Sequence, residues 1–290
     1  MIRFIPCVLI LASVAKAQIG LPIDDGAEQR FSVNFTGGVW FPRLEGVTTL
    51  GENGTALSVG DDLGIDSSQL LFNGEASISW DRFSFAFGGY DSKAEGVSTI
   101  DAPVQIGTLS VAANQPINSR IEAWSVYTEC SWELFTPFKD RTFPWSAPKA
   151  SVKNRASDGR ETIDFGISVL GGVRLINLSQ RFEVAGLGTE TSSNAWVCPY
   201  IGAGMVFGWN VKDSIGFMDR LSISIHAAGG PALNGGTYIM SIRGGVTIEV
   251  IRNVGIHLGY RLSDWDLARE ENSFSEGGLQ GLFAGISYTW

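Results

Sequence analysis

Histidine is the scarcest of the residues that could do chemistry, with His226 and His257 the only two in 290 residues. His226 continues the alternation Leu221-Ser222-Ile223-Ser224-Ile225, and Asp264 and Asp266 follow another alternating run. If those two ends meet, an imidazole base lies beside an orienting carboxylate, as a nucleophilic or water-activating site requires. A matching nucleophile is missing, and His257 falls toward the other end of its run. The expectation is two histidines in a polar network, no catalytic residues and no enzyme. Asp61-Asp62 with Asp66 could hold Ca²⁺ through carboxylate oxygens. Their spacing is not that of an EF-hand, so the reading is a solvated acidic loop and no metal. Gly202-Ala203-Gly204 to Gly208 has a nucleotide-loop look, but no helix follows, and no cofactor is expected. Cys130 and Cys198 fall on opposite faces of their strands, so a bridge would need backbone movement; both are expected as free thiols.

The elements that must carry these residues announce themselves by period two. Phe83-Ser84-Phe85-Ala86-Phe87 puts three rings on one face, and Leu70 to Trp80 sets Leu70, Phe72, Ala76, Ile78 and Trp80 against Asn73, Glu75, Ser77 and Ser79. No later segment has the roughly twenty apolar residues of a membrane helix. Thirty-six glycines without a collagen period indicate turns and close strands, and 17 Phe with 9 Trp argue against disorder. A net charge of −9 argues against a nucleic-acid partner. The first seventeen residues read as a signal peptide: Arg3, an apolar run from Phe4 to Val14, and a small-x-small site at Ala15-Lys16-Ala17. The rest, 18–290, reads as one domain.

Ten strands are expected, at about 31–41, 70–80, 82–91, 119–137, 162–177, 195–210, 218–230, 237–250, 253–264 and 278–290. Long connections at 42–69, 92–118, 178–194 and 265–277 alternate with short ones at 81–82, 211–217 and 251–252. Two links break the rule: 138–161 is long and 231–236 is short. The fold class is all-β, an antiparallel transmembrane β-barrel of about ten strands with both termini periplasmic. It would have twelve strands if the basic insert 138–161, with Lys139, Arg141, Lys149, Lys153, Arg155 and Arg160, hides a hairpin; that insert could also face peptidoglycan or lipid headgroups.

Strand parity assigns faces. Phe83, Phe85, Phe87, Trp124, Val126, Trp132, Phe165, Val169, Ile201, Phe207, Ile223, Ile225, Ile242, Ile256 and Leu258 are placed toward lipid. The lumen collects Glu75, Glu129, Glu133, Asp164, Arg174, His226, Arg243, Glu249, His257 and Arg261, which must pair or meet water. Two aromatic belts are expected. Trp80, Phe83, Trp132, Phe135, Phe165, Phe207, Trp209, Tyr288 and Trp290 make the periplasmic one, and Trp40, Phe41, Tyr90, Trp124, Trp196, Tyr238, Tyr260 and Trp265 the outer one.

The last strand, Leu279 to Trp290, ends on an aromatic residue preceded by Leu282, Ala284, Ile286 and Tyr288 at alternate positions. It resembles the C-terminal signature of Gram-negative outer-membrane β-barrel proteins. Residues 57–137, with Asp61-Asp62-Leu63-Gly64-Ile65-Asp66 opening a strand and a Glu/Trp-rich run from Glu122 to Glu133, resemble a pattern of uncharacterised barrels of that class. The resemblance implies the cell outer membrane as location, outer-membrane lipid and lipopolysaccharide as surroundings, and the barrel-assembly machinery as a partner reading the strand that ends at Trp290. The expected function is a small passive pore for small polar solutes, or a structural membrane protein with a plugged lumen. The alternatives are an outer-rim enzyme using His226, lipid-modifying or proteolytic, and a loop-based adhesion or binding protein.

Overall fold

The computed structural model describes residues 31–80, 82–136, 162–233, 237–251, 253–269 and 273–290. The segments 1–17 and 138–161, read above as a signal peptide and a basic insert, lie outside these. The described chain forms strands β1 (Phe31–Leu50), β2 (Leu57–Ser58), β3 (Leu71–Trp80), β4 (Phe83–Thr99), β5 (Val104–Ile106), β6 (Leu109–Val111), β7 (Pro116–Phe135), β8 (Ile163–Val184), β9 (Gly188–Asn210), β10 (Arg220–Gly230), β11 (Tyr238–Ile251), β12 (Val254–Arg269) and β13 (Ser273–Thr289). Ten of them form one antiparallel sheet in the order β13-β12-β11-β10-β9-β8-β7-β4-β3-β1, which closes on itself where β1 pairs with β13 from Asn34↔Thr289 to Leu50↔Ser273. Closure pairs each barrel strand on both sides through the apolar band, the condition for backbone in lipid. β2 adds to β1 on the rim, and β5 with β6 makes a separate small hairpin.

Phe31 and Trp290 lie at one end, here called the base, and the opposite end is the rim. The lipid-facing assignment matches the structure: Phe83, Phe85, Phe87, Ile201, Ile223, Ile225, Ile256 and Leu258 all stand exposed on the outer surface. The basal belt also stands outward, with Trp80, Phe83, Phe135, Phe207, Trp209, Tyr288 and Trp290 exposed. The outer belt is corrected. Phe41, Trp124, Tyr238 and Tyr260 point outward, but Trp40, Tyr90, Trp196 and Trp265 are buried inside the barrel. Their parity is that of the lumen.

A second correction concerns the loops. Much of 42–69, 92–118, 178–194 and 265–277 is strand, because β1, β4, β7, β8, β9, β12 and β13 run past the apolar band toward the rim. The change is sharp on each outer face. On β4 the outward series passes from Phe83, Phe85 and Phe87 to Asp91, Lys93 and Glu95; on β8 it passes from Val173 and Leu175 to Arg181 and Glu183. β8 continues from Leu175 to Val184, roughly 30 Å of strand at about 3.3 Å per residue before tilt. These extensions carry ion pairs between neighbouring strands and along them, such as Lys93 with Glu95 at 2.6 Å.

Inside the extensions the inward face is mainly apolar, which is what their sequence encodes: on β8 Ile176, Leu178, Phe182 and Val184, with Gln180 as the one polar member, alternate with Asn177, Ser179, Arg181 and Glu183. The apolar members join Leu63, Ile65, Ile106 and Ile117 in a single buried cluster that fills the rim. The segment 51–70, whose acidic part was expected to open a strand, is folded into the mouth instead. It is tied to the wall by Val59 N–H donating to Gly46 O (2.9 Å), Gln69 N–H to Pro42 O (2.9 Å) and Ser119 Oγ–H to Leu63 O (2.8 Å). The β5–β6 hairpin closes over it, with Thr55 N–H bonded to Gln105 O and Gly107 N–H to Leu50 O, both at 2.8 Å.

An arginine replacing Phe87, in the middle of the apolar band, should cost about 2–4 kcal/mol of folding free energy in a bilayer. Val97, outward on the same strand but beyond the band, should accept arginine within about 0.5 kcal/mol. Urea titration of the refolded variants in phospholipid vesicles measures both; equal costs would mean the band ends elsewhere.

Candidate functional site

Below the apolar rim the lumen changes character, and all ten sequence-selected residues lie on inward-facing positions of their strands. Three of them make the centre. The Arg243 guanidinium on β11 reaches across the lumen to two carboxylates on the far wall, Glu75 of β3 at 2.7 Å and Glu129 of β7 at 3.3 Å. Around the closed sheet, β11 is four strands from β3 in one direction and four from β7 in the other, so this triad braces opposite walls. The spare lone pairs are used as well. Tyr127 donates its hydroxyl to Glu75, and Tyr200 donates to Glu129 at 3.2 Å.

Both tyrosines were missed by charge-based selection, and a signal for them was present. Gly88 is the cross-strand partner of Tyr127, and Gly172 that of Tyr200. A Cβ on Gly88 would lie 2.6 Å from the Tyr127 hydroxyl oxygen, and one on Gly172 2.7 Å from that of Tyr200. Each ring therefore lies across the bare backbone of the neighbouring strand, a position only glycine leaves open. An inward tyrosine facing an inward glycine is the pattern to look for.

Arg174 and Arg261 sit on the rim side of the triad. Arg174 is 5% exposed and stacks over Tyr127 and Tyr200 at 5.4 and 5.7 Å from the ring centres. Arg261 lies over Trp40 at 5.3 Å and Tyr90 at 5.6 Å. Such contacts favour a desolvated cation by about 2 kcal/mol. The inward-turned Trp40 and Tyr90 thus form the floor of the apolar core and a platform for a guanidinium, and they pack edge-to-face at 5.3 Å.

The remaining sequence-selected residues lie apart from this centre. Asp164 pairs with Arg220 at 2.6 Å, and Glu249 is the cross-strand partner of the same arginine. His257 shares a 2.8 Å hydrogen bond with Thr247, and Glu133 lies beside Gly166 near the base. His226 is the cross-strand partner of Arg243 and packs against Gly204.

The sequence-based pairing of His226 with Asp264 and Asp266 is overturned. Asp264 and Asp266 continue the outward series of Ile256, Leu258 and Tyr260, and Asp264 accepts a hydrogen bond from the outward Tyr238 at 3.1 Å. His226 faces the lumen, so wall backbone separates the groups. The acidic loop is also accounted for locally: Asp62 accepts the backbone N–H of Ser58 at 2.7 Å and caps the turn. Cys198 is fully buried in the rim core and Cys130 half-buried on the outward face, and neither is bridged.

No protein-family model and no curated protein matches the chain. Among solved structures, the outer-membrane protease OmpT of Escherichia coli is similar at 8% identity, with 94% of this chain and 99% of that chain covered and a TM-score of 0.47. The transport unit of the autotransporter AIDA-I, from the same organism, is similar at 10% identity, 98% and 97% coverage and a TM-score of 0.39. The Yersinia pestis attachment protein Ail gives 10% identity, 90% and 99% coverage and a TM-score of 0.34. Likenesses of this order bear on neither the activity nor the ligand of this chain.

Replacing Arg243 by methionine leaves the part-buried Glu75 and Glu129 without their cation and should cost about 1–3 kcal/mol. Adding Glu75→Gln and Glu129→Gln to that variant should return a large part of the loss. Equilibrium unfolding followed by tryptophan fluorescence measures both; a single-variant loss below about 1 kcal/mol would show the brace to be idle.

Proposed function

We propose that this chain is an integral outer-membrane barrel with a permanently closed lumen, a structural protein that holds a rigid platform above the membrane. The base, with its aromatic belt, faces the periplasm in this reading, and the rim faces outward. The observation that carries it is the continuous apolar core of the rim, stitched to the wall by residues 51–70 and 104–111, above a part-buried guanidinium–carboxylate brace that crosses the lumen at mid-height. A passive pore needs a connected aqueous path, and Leu63, Ile65, Ile106 and Trp40 stand across it. The partners in this reading are the lipids around the apolar band, lipopolysaccharide beside the charged outer faces of β4, β7 and β8, and the assembly machinery engaging the strand that ends at Trp290.

A surface-binding role is favoured over a catalytic one by a specific feature. The projecting hairpins present ordered charge pairs outward, among them Arg120 with Glu122 and Glu95, and Arg181 with Glu183 at 3.5 Å. His226, the residue an enzyme reading depends on, has a cationic guanidinium as its cross-strand neighbour and no orienting carboxylate from Asp264 or Asp266. We propose no reaction for it.

The chain from residue 18 onward, refolded and reconstituted in a planar bilayer, should shift in a heat-modifiable way on a cold gel and remain electrically silent. Discrete, ion-selective conductance steps from the folded barrel would overturn the closed-lumen reading in favour of the pore.

A further inference from the structure

The lumen centre holds three guanidiniums, Arg174, Arg243 and Arg261, and two carboxylates, Glu75 and Glu129. Arg243 takes both carboxylates. Among the described residues, no carboxylate lies within ion-pair distance of Arg174 or Arg261. Arg174 has only two long hydrogen bonds, to Ser263 Oγ at 3.4 Å and Ser241 Oγ at 3.5 Å, and its Nε is buried with no partner. At this level of the lumen one positive charge is therefore left over. Ring faces offset part of its lost hydration, but a buried cation without an anion is costly. A small cavity of about 10 Å³ lies at the same point, bordered by the guanidiniums of Arg174, Arg243 and Arg261, by Tyr127, His226 and Ser241, and by one carboxylate, Glu129, which Arg243 already pairs. That is room for roughly one water-sized particle.

We propose that this cavity is an internal binding site for a small monovalent anion of the halide class. Chloride is only slightly larger than water, carries the missing charge and accepts hydrogen bonds from every side. Here it would meet guanidinium N–H groups of Arg174 and Arg261 and the hydroxyl of Ser241. A divalent oxyanion is too large for the space and would overcompensate the charge. The apolar rim blocks entry from above, so the anion is captured as the barrel closes during folding.

The test is refolding of the chain from residue 18 onward at constant ionic strength in sodium bromide, sodium chloride or sodium gluconate. The folding equilibrium constant should be about tenfold larger in either halide, at a concentration about ten times the dissociation constant, than in gluconate. Arg174→Gln should abolish the difference. Crystals grown from the bromide sample should show an anomalous peak between the Arg174 and Arg261 guanidiniums, which decides the matter even if the variant does not fold. Equal stability in all three salts with no peak, or a halide effect that survives Arg174→Gln, would overturn the proposal.

Discussion

The Arg243 bridge to Glu75 and Glu129 is the interaction on which the rest of the barrel's interior depends. A ten-stranded barrel is slightly too wide for aliphatic side chains alone to meet across its axis. An arginine from one wall and two glutamates from the other span that gap, and the tyrosines complete their hydrogen bonding. Removing Arg243 leaves two carboxylates without their cation, whereas removing either glutamate leaves a paired guanidinium, so the arginine is the member the arrangement cannot lose. Its companions follow from it. Tyr127 and Tyr200 need glycine opposite, and Arg174 and Arg261 need ring faces, so Gly88, Gly172, Trp40 and Tyr90 are committed in turn.

Above that brace the constraint is different. Strands that overrun the lipid would enclose water unless their inward face were apolar. The chain keeps alternating there, with aliphatic residues inward and Arg, Glu and Ser outward. The same period-two rule thus builds two inverted surfaces. In the band the outer face is apolar and the inner face polar; in the rim the outer face is charged and the inner face dry. The switch occurs over four residues on β4, between Phe87 and Asp91, and over six on β8, between Leu175 and Arg181.

That inversion explains which parts of the structure were legible in sequence. All ten barrel strands could be found, because in the band the alternation sets Phe, Trp and Ile against polar residues and both signs of charge. The inward position of Glu75, Glu129, Arg174, Arg243 and Arg261 followed from parity alone. The rim extensions were read as loops because Arg43, Glu45, Lys93, Glu95, Arg181 and Glu183 make those stretches look solvated; the alternation of Leu178, Phe182 and Val184 beneath them was the overlooked signal. Trp40, Tyr90, Trp196 and Trp265 were assigned to a belt because aromatic residues near strand ends usually belong there, yet each sits at an even number of residues from a lumen-facing neighbour. The partnership of Arg243 with two distant strands was invisible, since pairing across a lumen leaves no periodic trace.

The central claim is a dry, closed rim, and Cys198 is a native probe of it. In the chain from residue 18 onward carrying Cys130→Ala, it is the only thiol, and it lies fully buried between Trp196 and the core of the mouth. The measurement is its reaction rate with a hydrophilic, membrane-impermeant maleimide in the folded, reconstituted barrel, against the same chain unfolded in urea. A closed rim predicts suppression by several orders of magnitude in the folded state, lifted only on unfolding. Labelling of the folded barrel at a rate near that of the unfolded chain would mean that water fills the mouth, and the account of a sealed lumen would be wrong.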